Sequence, residues 1–394
     1  EMVNEVLAGP LIFFIDGERQ GIIIDTRQYP SREPEEADIE KVTRGSRDGF
    51  VETLLFNLTL IRRRIRDPKL RAENIKIGKR SLTEVALVYI EDIVNPELLE
   101  RIRNALLKID IDGLPMAEKS VEEFITADFW NPFPEVRYTE RPDVAAIHLL
   151  EGHICIIVDT SPSVMIAPVT YFHHLQHAEE FRHNPFVGVY IRWIRLFGVF
   201  ISIFLIPIWL LMVKYKALLP QSLQFIGPKE SSALPLLLQF VLANIGLDLL
   251  RMASVHTPSP LATALGLVGA LLIGDIAVTV GFFVPEVLLY IALVAIGMFS
   301  TPSWELSLAN RMVHIFLLLC TGLGGIYGFV GGLIIILIRL ATTHSFGIPY
   351  LWPLIPFNGP AFMNVLLRKP APLKRFRPSF LKTKDDDTTD PSEE

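Results

Sequence analysis

The run Leu196-Phe197-Gly198-Val199-Phe200-Ile201-Ser202-Ile203-Phe204-Leu205-Ile206-Pro207-Ile208-Trp209-Leu210-Leu211-Met212-Val213 carries no charged residue. A helix needs about 20 mainly apolar residues to cross a bilayer, and this stretch, with Trp193 and Trp209 near its ends, meets that length. Working outward, the chain changes character at Asn184-Pro185: charges are dense and apolar runs short before it, whereas Lys, Arg, Asp and Glu nearly vanish from long stretches after it. The mean hydropathy of +0.38 averages these two regimes. The predicted fold class is an α+β soluble N-terminal region followed by an all-α transmembrane helical bundle.

Within the 394 residues four parts are expected. Residues 1–70 form a first cytoplasmic α/β subdomain with a connecting helix, residues 71–184 a second, residues 185–360 the membrane domain, and residues 361–394 a disordered tail, basic and then acidic. Further spans are read at Leu261 to Phe283, Val287 to Trp304 and Val313 to Ile338. Leu234 to Val255 repeats Gln239, Asn244, Asp248 and Arg251 on nearly one helical face, so it is read as an amphipathic helix at the interface or lining a cavity. Lys and Arg near spans favour the cytoplasmic side. Arg182, Arg192 and Arg195 precede the first span, and Arg339, Arg368, Lys369, Lys374, Arg375 and Arg377 follow the last, so both termini are predicted inside, with four spans.

In the soluble half, helices are predicted at Gly49 to Ile65, Pro96 to Ile109 with Asn95 as cap, and Ser120 to Thr126. Strands are predicted at Thr83 to Ile90, Val144 to Leu150, Ile154 to Asp159 and Val164 to Ala167, with Glu151-Gly152 as a hairpin turn. Leu11 to Ile15 and Gly21 to Asp25 read as a strand pair. The chain starts at Glu1 without a signal-peptide pattern, and further natural sequence is expected upstream.

The residues argue against several function classes. The net charge of −6 owes much to the terminal Asp385, Asp386, Asp387, Asp390, Glu393 and Glu394. Arg62-Arg63-Arg64 reads as a solvated helix end that complements the helix dipole rather than as a nucleic-acid site. Cys155 and Cys320 imply no disulfide framework and a reducing compartment for the soluble half. The Asn57-Leu58-Thr59 acceptor pattern is read as chance. No phosphate loop, dinucleotide fingerprint or nucleophile elbow is present, so neither enzyme chemistry nor a cofactor is expected. His173, His174 and His177 with Glu179, Glu180 and His183 place His173 and His177 on one helical face, but the zinc-protease pattern is missing, and a juxtamembrane polar helix is the reading adopted.

Two ladders of small residues, Gly266, Ala270, Gly274 and Gly324, Gly328, Gly332, mark faces where helices approach closely in lipid. Asp275 lies deep in a span, where an ionisable group costs roughly 2.5–3.5 kcal/mol unless it is paired or hydrated. Water in a pore and Arg251 are the two compensating partners considered. Asp275, Asn244, Asp248 and Arg251 are thus the candidate pore or intramembrane polar residues.

The runs Arg44-Gly45-Ser46-Arg47-Asp48-Gly49-Phe50-Val51-Glu52, Ile77-Gly78-Lys79-Arg80-Ser81-Leu82-Thr83 and Thr139-Glu140-Arg141-Pro142-Asp143 resemble the A subunits of GerA-type spore germinant receptors. The resemblance continues through Gly269 to Asp275 and through Ser345-Phe346-Gly347-Ile348-Pro349-Tyr350-Leu351. Asp159-Thr160-Ser161-Pro162, Pro134-Glu135 and Ala178-Glu179-Glu180-Phe181-Arg182 depart from the receptor pattern toward a sporulation paralogue in the same family. The resemblance implies a multi-pass protein of the spore inner membrane that acts in germination as an oligomeric ion-channel component. Its implied partners are membrane lipid, further copies of itself and other germination proteins of the spore membrane. The alternative it implies is a receptor A subunit that passes on a nutrient signal without conducting.

Overall fold

The computed structural model describes residues 10–17, 20–24, 32–37, 40–126, 128–256 and 277–388. A short antiparallel pair, β1 (Leu11–Phe13) and β2 (Ile22–Ile24), opens the chain with Leu11 opposite Ile24. The soluble half is then built on a five-stranded antiparallel sheet in the order β3 (Leu70–Ile77), β4 (Thr83–Ile90), β6 (Ile154–Val158), β7 (Val164–Ala167), β5 (Arg137–Thr139). Every residue of β6 and β7 is buried, because helices cover both faces of the sheet. That is why these strands read as continuous apolar runs rather than alternating ones.

On one face Ala86, Val88, Ile90, Cys155, Ile157 and Ile166 pack with helix α1 (Leu54–Arg64). On the other, Val85, Leu87, Ile156, Val158 and Met165 pack with α2 (Pro96–Leu107) and α3 (Ala117–Ile125). Asn95 caps α2 by accepting from the Glu97 N–H at 3.0 Å, with Pro96 in the first turn. Leu54 and Ile61 of α1 share one core with Val88 and Ile157, so packing crosses the expected boundary at residue 70. The arginine-rich end of α1 is tied locally: Arg64 pairs with Asp48 at 2.6 Å, and Arg62 donates to the Asp67 and Leu70 carbonyls.

Residues 144–150 form helix α4 (Pro142–Glu151), not the predicted strand. Pro142 and Asp143 start it, and Gly152, at φ 98°, ends it as a left-handed cap whose N–H reaches the carbonyls of His148 and Leu149. Its burial on most sides hid the helical period, so Glu151-Gly152 is a helix end and not a hairpin turn. Strands β3 and β5 were not anticipated.

Beyond α5 (Ala178–Arg182), the membrane half contains α6 (Pro185–Lys214), α7 (Leu236–His256), α8 (Pro285–Phe299) and α9 (Trp304–Thr342). Among the described residues α6, α7 and α9 are long and apolar enough to cross a membrane. The run expected as one span from Val287 to Trp304 ends at Phe299 and is followed by a turn through Thr301-Pro302-Ser303. The span expected at Leu261 to Phe283 lies largely outside the described residues. Helix α9 is not one span either. Gly325 takes φ 59°, ψ −136° inside it, and a Cβ placed on Gly332 would stand 3.3 Å from Cys320 Cβ. Twelve residues of straight helix would separate those positions by about 18 Å. The chain therefore doubles back at Gly325, and residues 304–324 and 326–342 are the two arms of a hairpin.

The described part of the tail, to Thr388, packs on the soluble domain. After α10 (Gly359–Leu366), Leu381 inserts fully buried into the α2 side of the sheet core. Asn95 Nδ2 donates to the Leu381 carbonyl at 3.1 Å, Lys384 N–H to the Ile93 carbonyl at 3.0 Å, and Arg377 Nε to the Leu150 carbonyl at 3.0 Å. The charge-rich composition had suggested a solvated end, but Phe380 and Leu381 supply apolar anchors that dock it on the domain.

Candidate functional site

Three contacts set α7 against the first arm of α9 along its length. Leu237 lies against Gly322, Asp248 against Arg311, and the Arg251 guanidinium stacks 4.0 Å over the Trp304 ring. The two run antiparallel, with Trp304 at the end nearest the soluble domain. Of the two placements expected for 234–255, this lengthwise packing argues against the one at the interface, because the polar face of α7 meets a buried arginine instead of lipid headgroups.

The centre of the site is Arg311, whose side chain is 4% exposed. Its Nε donates to Asp248 Oδ1 at 3.1 Å and its Nη2 to Asp248 Oδ2 at 3.1 Å and to the Asn244 carbonyl at 2.8 Å; Nη1 donates to Asn244 Oδ1. A forked guanidinium on a carboxylate satisfies both charges where water is scarce. Buried His314, three residues beyond Arg311, faces the Ile203 carbonyl at 3.1 Å through Nδ1. At the domain end of α9 a cavity of about 450 Å³ opens, lined by Glu118, Tyr138, Ser303, Trp304 and Glu305 among others. Four of its lining residues, Glu40, Glu118, Glu140 and Glu305, are acidic, and Trp304 of this lining also carries the stacked Arg251 guanidinium.

Of the residues singled out from sequence, the fold brings Asn244 and Asp248 together and places Arg251 over Trp304. Asp275 lies outside the described residues, as do Gly266, Ala270 and Gly274. In the second ladder Gly328 and Gly332 close the hairpin against Cys320, while a Cβ on Gly324 would meet nothing within 4 Å. Arg311 was missed because it precedes the apolar run at Val313. An arginine seven residues inside a helix that starts at Trp304 was the available signal.

A second polar centre lies where α6 leaves the domain. Glu180, fully buried, accepts from Arg192 Nε at 2.7 Å and also pairs with Arg195. Arg192 Nη1 also donates to the carbonyls of Asn364 and Val365, at 2.9 and 3.0 Å, and Arg368 Nη1 to that of Glu180 at 2.6 Å. Arg192 and Arg195, read from sequence as orientation signals, are thus buried partners of one carboxylate.

The six histidine and glutamate side chains at 173–183 do not converge. His173 lies in a 3-10 turn with Nδ1 2.9 Å from Thr170 Oγ1, and His177 caps α5 by accepting from Glu179 N–H at 3.1 Å. Glu179 meets His183 at 3.0 Å, while Glu180 serves the arginines. The chain extends through Gln176 between the turn and α5, so the expected common face of His173 and His177 does not form. Burial, reinforced by the charge of Arg137, pushes the His174 pKa down to about 3.

An α/β domain joined to apolar helices, two of which pack around a buried charged cluster, defines a multi-helix membrane protein. The chain matches the Bacillus/Clostridium GerA spore germination protein family over residues 1–380 and belongs to that family. It is 52% identical over 384 residues to stage V sporulation protein AF of Bacillus subtilis (strain 168), covering 98% of this chain and 78% of that one. It is 33% identical over 388 residues to spore germination protein GerLA of Bacillus cereus, covering 98% of this chain and 79% of that one. It also matches the crystal structure of the N-terminal domain of the A subunit of the Bacillus megaterium spore germinant receptor GerK3 at 42% identity, covering 31% of this chain and 97% of that one with a TM-score of 0.26.

Proposed function

We propose that this GerA-family membrane protein is an oligomeric ion-channel component that supports ion release during spore germination in the spore inner membrane. The observation that carries the reading is the Arg311–Asp248–Asn244 cluster, a charged centre between apolar helices. Intramembrane ion pairs of this kind characteristically face ion or water pathways. Docking of residues 377–384 on the soluble domain supports placing both on one side of the membrane, and the arginine-rich flanks favour the cytoplasmic side. Copies of the chain, membrane lipid and other germination proteins are the partners this role requires, and no catalytic step or nucleic acid enters it.

Purified full-length chain reconstituted into liposomes tests the reading. Cation flux from an assembly larger than a monomer is the expected result for the wild-type chain, and Asp248→Asn, which weakens that assembly, should reduce it. Ligand-dependent association with other germination proteins, without flux, would replace the channel by a signal-transmitting receptor subunit.

A further inference from the structure

Far from the membrane cluster, helix α4 ends in His148-Leu149-Leu150-Glu151, and after the left-handed Gly152 the chain continues with His153. One turn of helix sets His148 and Glu151 on one face, and the reversal at Gly152 swings His153 back toward them. One nitrogen from each imidazole and one Glu151 carboxylate oxygen lie within 4.8 Å of one another. Both rings are buried.

The hydrogen bonds define which nitrogens are available. His148 Nδ1 is 2.8 Å from the Val144 carbonyl, and His153 Nδ1 is 2.7 Å from the Pro168 carbonyl. A carbonyl can only accept, so each Nδ1 carries the proton and each Nε2 presents a lone pair. Neither buried Nε2 has a hydrogen-bond partner. Backbone carbonyls that fix the tautomer and leave Nε2 bare are the outer shell that histidine metal ligands use.

From this geometry we propose that His148 Nε2, His153 Nε2 and the Glu151 carboxylate bind a divalent transition-metal ion of the zinc class. Two histidines and a carboxylate, with water in a fourth position, match zinc's preference for nitrogen and oxygen donors at about 2.0–2.2 Å. The spacing is close enough for modest side-chain rotations to bring all three onto one ion. Arg137, the nearby fixed cation, is already paired with Glu40 at 2.7 Å.

The site lies on the seam with the C-terminal segment. Lys374 pairs with Glu151, Phe380 packs edge-on against His153 with centroids 5.9 Å apart, and Thr383 lies against Gly152. A cation on the Glu151 carboxylate competes with the Lys374 ammonium for the same negative charge, so metal binding and this tail contact weaken each other.

Full-length protein in detergent, stripped with chelator and dialysed against zinc, is measured for metal content, and cobalt is used as a spectroscopic probe of the same site. About one zinc per chain, with a tetrahedral cobalt spectrum, is expected. His153→Gln and the more exposed Glu151→Gln should lose this metal, whereas His183→Gln should retain it. Lys374→Ala should bind zinc more tightly, because the competing cation is gone. Wild-type protein without stoichiometric zinc, or zinc retained in folded Glu151→Gln and lost in His183→Gln, overturns the proposal. Unchanged zinc affinity in Lys374→Ala overturns the competition with the tail.

Discussion

Gly332 lies against Cys320, twelve positions earlier in what secondary structure alone would join as one helix; a Cβ on Gly332 would stand 3.4 Å from Cys320 Sγ. The relationship converts α9 into two arms of about 31 and 25 Å at 1.5 Å per residue, both ending near the soluble domain. Arg339 of the second arm pairs with Asp128, and Glu305 of the first lies beside Lys119 and Glu122 in the same seam.

The hairpin predicts a crosslink. Gly332→Cys should form an intrachain disulfide with native Cys320 under mild oxidation, since the Cβ separation is near the range a disulfide spans. Faster migration on non-reducing gels, abolished by Cys320→Ser, is the expected outcome. Failure to crosslink in folded protein would favour a straight helix.

The turn itself depends on Gly325. A side chain there adopts a backbone region open almost only to glycine, at a cost of roughly 1–3 kcal/mol, and meets Tyr215 Oη at 2.5 Å. Gly325→Val should therefore lower the thermal midpoint and, when combined with Gly332→Cys, reduce the yield of the crosslink to Cys320. Gly324→Ala, in open space, should do neither.

Arg311 and Asp248 predict a coupled pair. Removing one partner strands the other charge among apolar helices, which costs roughly 3–5 kcal/mol. Arg311→Gln and Asp248→Asn should each impair assembly in detergent, and the double variant should be less damaged than their sum. Additive losses across the cycle would show that the pair is uncoupled.

How much could be read beforehand follows from local physics. Thr83–Ile90 and Val164–Ala167 were legible to the residue because β-branched runs bounded by turns have few alternatives. Helix α4 was misread because Val144, Ile147 and Leu150 sit in a segment whose buried neighbours erase the amphipathic signal. The same error concealed the His148–Glu151–His153 grouping, since i, i+3 residues diverge on a strand and converge on a helix. Asn244 and Asp248 stood out as polar residues in an apolar helix, but Arg311 needed the tertiary contact to reveal its partner. The hairpin was hidden because Gly324-Gly325 in a glycine-rich span looks like a packing ladder until the returning arm is placed.

The last prediction concerns acid. His174 is wholly buried between Arg137 and the ring of Tyr350, and its pKa is pushed down to about 3 by burial first and by Arg137's charge second. In the unfolded chain the same imidazole takes up a proton near pH 6.5. Between these values the unfolded state binds more protons than the folded one, so stability falls as pH drops from about 6.5 toward 3 and is fully present above that window. Tyr350 stays protonated throughout, because burial raises its pKa. His174 thus contributes to the slope without a compensating titration from Tyr350. Denaturant unfolding of the purified chain should show a shallower loss between pH 6.5 and 4 for His174→Leu than for wild type. His148, His153 and His173 titrate in the same direction, so part of the slope should survive in the variant. An identical slope in both proteins would mean that His174 is solvated and free to titrate in the folded state.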